Sequence, residues 1–421
     1  MQKRRVVVTG VGVVSPNGIG INSFINAIKE QKSGIRKQDI LAELGFSCQI
    51  AGLPDISSID LNNYFSLVEQ RGLNSTGLIY GVIAGLDAIR SSSLNTEKYD
   101  PELGIIFGTG SLGIEKFSES IRQIDNKQVR RLGSTSVLQT MSSGVAAFLS
   151  GKIKAGNMVT SNSSACATGS EALLMGFKHI QSGSAKRMLV GSTSDSGPYI
   201  WGGFDALRIL PHQYNDLPEE ASRPIDANAS GFVPSSGAGA LVLEDLESAL
   251  ERGAKIYAEV LGGFQNSGGQ VNGGSMTAPN PGAVISCIQQ SLVNAELHAK
   301  DIDLINGHLT ATKMDALEVR NWKKALGVSA ENFPQIQSLK GMIGHALAAC
   351  GSIELVSCVL QLKHQFVFGN LNLNEVHSDI TNEISTNKIP TSTLENSHLN
   401  HLIKASFGFG DVNVCLVLRK Y

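Results

Sequence analysis

Three side chains in this 421-residue chain have the types and settings for covalent acyl chemistry: Cys166, His308 and His345. Cys166 lies in Ser163-Ser164-Ala165-Cys166-Ala167-Thr168-Gly169, after an apolar run and before the helix formers Glu171–Phe177. That order predicts a cysteine at or near a helix N-terminus. There the macrodipole and free N–H groups lower a thiol pKa, and the same N–H groups can bind an oxyanion. Small neighbours leave room for a substrate, and a thiolate so placed is a covalent nucleophile. His308 ends the apolar run Asp303–Asn306 and precedes Thr310 and Thr312. His345 closes Ser338-Leu339-Lys340-Gly341-Met342-Ile343-Gly344-His345 and is expected to open a helix over His345–Leu362. A neutral imidazole donates one N–H, and two such donors converging on one oxygen stabilise an enolate. Lys340 and Glu354 flank His345, and a pair of that kind keeps both charges and orients the histidines. The other histidines lack this loop-after-strand setting.

The elements that must position these loops show in the apolar pattern. Runs at Arg5–Thr9, Gly104–Gly108, Met158–Ser161, Arg187–Val190, Ala238–Leu243, Tyr257–Leu261, Ile302–Ile305 and Val412–Leu418 show little alternation, as strands buried on both faces do. Helical stretches at Gly77–Ser91, Ser170–Gln181, Gly282–Asn294 and His345–Leu362 fall between them, which predicts layered α/β. A charged seam, Glu251–Lys255, divides the chain into residues 1–252 and 253–421. Each part has a strand ending in a reactive loop, which suggests an internal duplication. Asn266–Ser275 (NSGGQVNGGS) reads as a mobile lid or gate.

Other chemistries are excluded by pattern. Gly108-Thr109-Gly110-Ser111-Leu112-Gly113 matches GxGxxG, but no acidic residue closes a second strand about 20 positions on, so it reads as a tight glycine turn rather than a dinucleotide site. The six cysteines form no CxxC pair and no HExxH occurs, so neither a zinc site nor a disulfide framework is expected. A net charge of -2 argues against nucleic-acid binding, though a local basic patch can recruit an acidic partner. No apolar stretch reaches the roughly 18 residues of a membrane helix, and MQKRRVVVTGVGVV reads as a buried strand, not a leader. The expectation is a soluble cytoplasmic protein.

Taken together and in order, RRVVVTGVGVVSPNG, SSACATG, ASRPIDANASGFV, RGAKIYAEVLG, INGHLTAT, SLKGMIGHALAACG and SFGFGDVN resemble the β-ketoacyl-acyl carrier protein synthases of the thiolase superfamily, over essentially the whole chain. The resemblance implies the five-layered αβαβα fold of two similar halves, the first carrying the nucleophile and the second the two histidines. It implies that Cys166 accepts an acyl chain from its carrier, with the backbone N–H groups of Cys166 and Phe409 as oxyanion hole. It implies that His308 and His345 stabilise the enolate left when malonyl-carrier protein loses carbon dioxide, with Lys340 and Glu354 as the supporting ion pair. Phe409, between Gly408 and Gly410 and beside Asp411, matches the gate of the acyl pocket. Thr310 and Thr312 match the pantetheine contacts, with Thr277 and Asn272 in the facing loop, and Ser111 and Phe204 match the pocket lining. Lys127, Arg130 and Arg71 fall where basic residues meet the acidic carrier protein. Neither metal nor cofactor is implied. The expected partners are acyl carrier protein and a second subunit, as a homodimer paired through Asn157–Asn162 or as a heterodimer with a related chain.

The pattern is broken in places. Leu309 stands where the family has glycine, the proline after Thr-x-Thr is absent, Asp411 replaces the second glycine of GFGG, Asn272 replaces an aspartate, and Ser235-Ser236 replaces a glycine–acid pair. Two of these, Asn272 and Asp411, fall in the gating segments, and Asp411 is expected to hydrogen-bond the Asn266–Ser275 loop. A polyene or polyketide synthase therefore stands beside fatty acid elongation. A thiolase-type enzyme would need a second catalytic cysteine, for which Cys415 is badly placed inside a strand. A chain-length-setting partner subunit would lack Cys166.

Overall fold

The computed structural model describes residues 3–421. Its strands used below are β1 Val6–Ser15, β2 Leu103–Thr109, β3 Val159–Thr160, β4 Arg187–Ser194, β5 Gly237–Asp245, β6 Ala258–Ser267, β7 Leu304–Asn306, β8 Gln335–Gln337, β9 His401–Gly408 and β10 Val412–Lys420. The helices are α1 Thr76–Ser92, α2 Gly144–Ile153, α3 Thr168–Gln181, α4 Pro198–Ala206, α5 Pro281–Asn294, α6 Asp315–Leu326 and α7 Cys350–His364. Strand β1 is buried at every position, as its Val- and Gly-rich run predicts, and carries Thr9 and Ser15 into the interior. Helix α1 starts where Ser75 accepts the N–H of Leu78, and α5 starts where Asn280 caps Gly282 and Ala283 ahead of Pro281.

The strands run β3-β2-β4-β5-β1 and then β6-β10-β9-β7-β8. From β1 outward the pairings are antiparallel, antiparallel, parallel, parallel. From β6 outward they repeat in the same sequence. The halves join where Val6–Val8 pairs with Ala258–Val260. Helices α1 and α2 cover the outer face of the first half, and α5 and α6 that of the second. Helices α3 and α7 are buried between the two halves in the largest apolar cluster. The result is the expected five-layered αβαβα arrangement.

Of these ten strands, two were illegible in the sequence. Polar Gln335 and Gln337 interrupt β8, and His401 and Lys404 interrupt β9, so neither looks like a buried strand although β9 is central. The reactive loops also correspond differently from the simple strand-then-loop parallel. The Cys166 loop follows β3, whose counterpart is β8, and β8 leads to Lys340. His308 follows β7, whose counterpart is β2, and β2 leads to Ser111. The GxGxxG segment is indeed a turn: Gly113 has φ 69° and no strand follows at Lys127–Leu132.

Close backbone approach sets the layer spacing. A Cβ on Gly12 would lie 2.0 Å from the carbonyl oxygen of Ala84 on α1. Gly12→Ala is expected to cost about 3 kcal/mol by forcing α1 off the sheet. Urea unfolding should show this as a lower midpoint with an unchanged slope.

Candidate active site

The nucleophile loop is built to turn sharply. Ala165 has φ 48°, a conformation few non-glycine residues adopt, and it directs the Cys166 side chain toward the cavities. Thr168 holds the turn, its hydroxyl donating to Ala165 O at 2.6 Å and accepting the Ser164 N–H at 2.9 Å. Glu171 braces it from α3, accepting from Asn162 and the Ser164 hydroxyl at 2.7 Å each and from Gln265. Cys166 precedes Ala167, the N-cap of α3, so the expected helix-start placement holds. The expected fall in thiol pKa does not. Burial pushes the Cys166 thiol up to about 11, outweighing the hydrogen bond from the Phe409 N–H and the charge of Lys340. Cys166 opens onto the cavities only partly, and its sulfur lies deep among protein atoms.

The backbone N–H groups of Phe409 and Cys166 itself both point at that sulfur. Gly408 makes this possible, because a Cβ there would lie 3.3 Å from the Cys166 nitrogen and 3.0 Å from Ser164 O. The donor atoms of Cys166, His308 and His345 lie within 4.8 Å of one another. His345 does not open a helix as expected. It pairs with Pro234 in an irregular turn with Gly344 at φ 72° and Leu347 at φ 50°, and the helix α7 begins only at Cys350. This turn has a chemical consequence. The N–H of Leu347 donates to His345 Nδ1 at 3.0 Å, so the ring proton must sit on Nε2. Burial, with help from Lys340, drives both imidazoles well below their ordinary pKa, so both are neutral. Their rings meet edge to face at 5.4 Å.

Lys340 and Glu354 form a buried ion pair, and the Lys340 ammonium also donates to His308 O at 2.7 Å. Burial would lower the Lys340 pKa, but Glu354 outweighs it and raises it. The sequence missed two carboxylates on α6 that shape the His308 loop. Glu318 accepts the N–H groups of His308 and Leu309 at 2.7 Å each, and Asp315 accepts that of Thr310 at 2.8 Å. Their spacing after His308 was the available signal. Burial pushes Asp315 up to about 6, and burial with the neighbouring Asp315 charge pushes Glu318 up to about 7.

Two cavities meet at Cys166. One of about 260 Å³ is lined by His308, His345, Thr310, Thr312 and Thr277, the other of about 440 Å³ by Ser111, Asp195 and Tyr199. Phe204 and Phe409, with ring centroids 6.2 Å apart, belong to the walls of both. Asn272 lines neither and is exposed. Arg71, Lys127 and Arg130 are exposed on the surface, away from both linings. Cys415 is buried within β10 and also lines neither. Asp411, with φ 63°, does bind the facing loop: its carboxylate accepts the N–H groups of Gln270 at 3.0 Å and Asn280 at 2.8 Å. Gly268 and Gly274 leave it space, since a Cβ on either would collide with the carboxylate.

Residues 3–249 match the family model of the beta-ketoacyl synthase N-terminal domain, and residues 257–374 match that of its C-terminal domain. The chain belongs to the β-ketoacyl synthases. It is 33% identical to 3-oxoacyl-acyl-carrier-protein synthase 2 of Vibrio harveyi, over 100% of this chain and 99% of that one. It is 32% identical to synthase 1 of Buchnera aphidicola from Acyrthosiphon pisum, over 99% and 100%. Among solved structures it resembles a ketosynthase bound to a hexaketide and complexed with its type II polyketide acyl-carrier protein, with TM-score 0.88, 29% identity and full coverage of both chains. The ishigamide ketosynthase/chain length factor is similar at TM-score 0.87 and 25% identity, over 100% of both chains.

Two outcomes follow for this β-ketoacyl synthase. Glu318 has a folded pKa raised above its unfolded value, so its contribution to stability is full below the unfolded value and is lost as pH rises through about 7. The stability of the native chain relative to Glu318→Gln should therefore fall by up to about 3 kcal/mol between about pH 5 and about pH 8. Denaturant unfolding at the two pH values measures it. Asp411→Ala should speed hydrogen exchange at the Gln270 and Asn280 amides at least about tenfold, read by mass spectrometry, because each loses its acceptor.

Proposed function

We propose that the chain condenses an acyl group held on Cys166 with malonyl-acyl carrier protein, releasing carbon dioxide and 3-oxoacyl-acyl carrier protein, in fatty acid chain elongation. The observation that carries this reading is one thiol facing two neutral imidazoles where two cavities meet.

Cys166 attacks the acyl thioester, and the carrier thiol leaves with the proton. The tetrahedral oxyanion is held by the N–H groups of Cys166 and Phe409. The acyl chain then occupies the larger cavity, and the smaller one receives malonyl-pantetheine along Thr310 and Thr312. The malonyl carboxylate leaves as carbon dioxide, and the electrons of the broken bond become an enolate. Its oxygen accepts from Nε2–H of His345 and from His308. The enolate carbon attacks the acyl–Cys166 carbonyl, the carbon–sulfur bond breaks, and Cys166 leaves as a thiolate that takes one proton from solvent to return to the resting thiol. Loss of carbon dioxide drives the step. Because the resting thiol is protonated, rate depends on removing its proton as acyl substrate binds.

Acyl carrier protein is the proposed partner, docking through Arg71, Lys127 and Arg130. A homodimer is proposed through the edge strand β3, whose Val159 is 38% exposed, with a heterodimer as the alternative. A polyene or polyketide substrate is the second reading. It is favoured by the polar groups Ser111, Ser163, Asp195 and Tyr199 in the larger cavity and by the likeness to polyketide ketosynthases.

Products formed from malonyl-carrier protein and a panel of acyl-carrier proteins, identified by mass, test the reading. Cys166→Ala should abolish condensation. His308→Ala and His345→Ala should each lower kcat roughly 10²–10³-fold, the usual loss of one oxyanion donor. Condensation retained in Cys166→Ala would overturn covalent transfer through that residue.

A further inference from the structure

Four residues line both cavities: Cys166, Phe204, Leu347 and Phe409. They ring the junction, and a group moving from the smaller cavity to the larger passes among them. The rings of Phe204 and Phe409 stand 6.2 Å apart there. A carbon chain between two rings needs roughly 7 Å or more, twice an ordinary carbon–carbon contact of ~3.5–4.0 Å. One of the four has to give way. Cys166 is fixed by the Thr168 and Glu171 bonds of its loop, and the Leu347 N–H by His345 Nδ1. Phe204 sits on α4 with its edge against Phe232, ring centroids 5.5 Å apart. Phe409 differs from these. It lies on the turn between β9 and β10, with Gly408 before it and Gly410, at φ 86°, after it. Glycine on both sides gives that turn the freest backbone of the four.

The turn is fastened by Asp411. Beside it, the Gly410 N–H donates to Met276 O at 2.9 Å, and Asp411 O accepts the Gly268 N–H at 2.9 Å. The Asp411 carboxylate accepts the N–H groups of Gln270 and Asn280, and Asn280 Nδ2 donates to Gly268 O at 3.1 Å. Asp411 is 1% exposed, while residues 269–273, which it holds, are all exposed. An exposed segment thus has its anchor in a buried carboxylate, and hydrogen bonds to an ionised acceptor are the stronger kind. Just past Met276 the same segment gives Thr277, Ala278 and Pro279 to the wall of the smaller cavity. Asp411 lines neither cavity itself, yet it ties the Phe409 turn to this second wall.

We propose that Asp411 sets the chain-length selectivity of acyl loading onto Cys166. This rests on the condensing reading above, in which the carrier arm fills the smaller cavity and the acyl chain the larger. A two-carbon acyl group stays beside Cys166 and leaves Phe409 in place. A longer chain has to cross the junction, so Phe409 must swing, and the Asp411 hydrogen bonds resist that swing. Asp411 touches no substrate and is a positioning residue that acts through Phe409.

Acylation of Cys166 by acetyl- and by octanoyl-acyl carrier protein, without malonyl substrate and followed by intact mass, tests this. In Asp411→Gly the ratio of octanoyl to acetyl loading rates should rise about tenfold, because two hydrogen bonds to a charged acceptor no longer oppose the swing. Glycine adopts the φ of 63° at this position without strain. Asp411→Asn keeps one acceptor oxygen and should give an intermediate ratio. A purely structural loss would lower both rates together and leave their ratio alone. Without any substrate, the Gly410 amide should exchange at least about tenfold faster in Asp411→Gly, read by mass spectrometry. A ratio that stays or falls in Asp411→Gly would overturn the selectivity, and unchanged exchange at Gly410 would overturn the fastening itself. If the native chain takes neither acyl group, the condensing reading fails and the selectivity with it, whereas exchange at Gly410 still decides whether Asp411 holds the turn.

Discussion

The site depends on one close contact between the two central helices. A Cβ on Gly169 of α3 would lie 2.3 Å from the Ser352 nitrogen of α7, and a Cβ on Gly351 would lie 2.7 Å from the Ser170 nitrogen. Backbone meets backbone at the starts of both helices. Cys166 lies just before one and His345 shortly before the other, so residues 179 positions apart in the chain share one cavity. The Cys350 thiol, at the start of α7, donates to Cys166 O at 3.4 Å across the same junction. A larger residue at either glycine would separate the helices and with them Cys166 and His345.

Burial then governs the chemistry. It keeps the imidazoles neutral, lifts the thiol and lifts the two α6 carboxylates. A helix start beside a thiol favours its thiolate by a modest amount, and here the loss of water outweighs it. The protein compensates with groups whose geometry is fixed before substrate arrives. These are two N–H groups aimed at the sulfur, a backbone N–H that sets the His345 tautomer, and carboxylates that hold the His308 loop. Fixed dipoles in a dry site are effective because they need not reorganise as charge develops.

The segment that follows Phe409 is held by the same logic. Asp411, almost wholly buried, accepts two N–H groups of the facing segment, and the glycines of that segment make the room. Phe409, two residues earlier, forms a wall of both cavities. The Asp411 side chain thus links that loop to the residue that walls both cavities.

The sequence by itself singled out the three side chains that meet at one cavity, the layered α/β class and most of the long strands, because apolar runs and short glycine-rich loops carry those signals locally. Cys166, His308, His345, Lys340 and the contact of Asp411 with its facing loop were all legible. It could not reveal β8 or β9, since buried polar residues imitate loop composition when their partners lie far along the chain. Lys404 is the clearest case: it hid its own strand, and its pairing with Glu354 exists only once α7 packs on β9. Tertiary structure alone decided the ionisation of the thiol, the tautomer of His345, the carboxylates under His308 and the meeting of the two cavities. Each depends on how much water is excluded and which distant group is brought near, and neither quantity is written in local spacing.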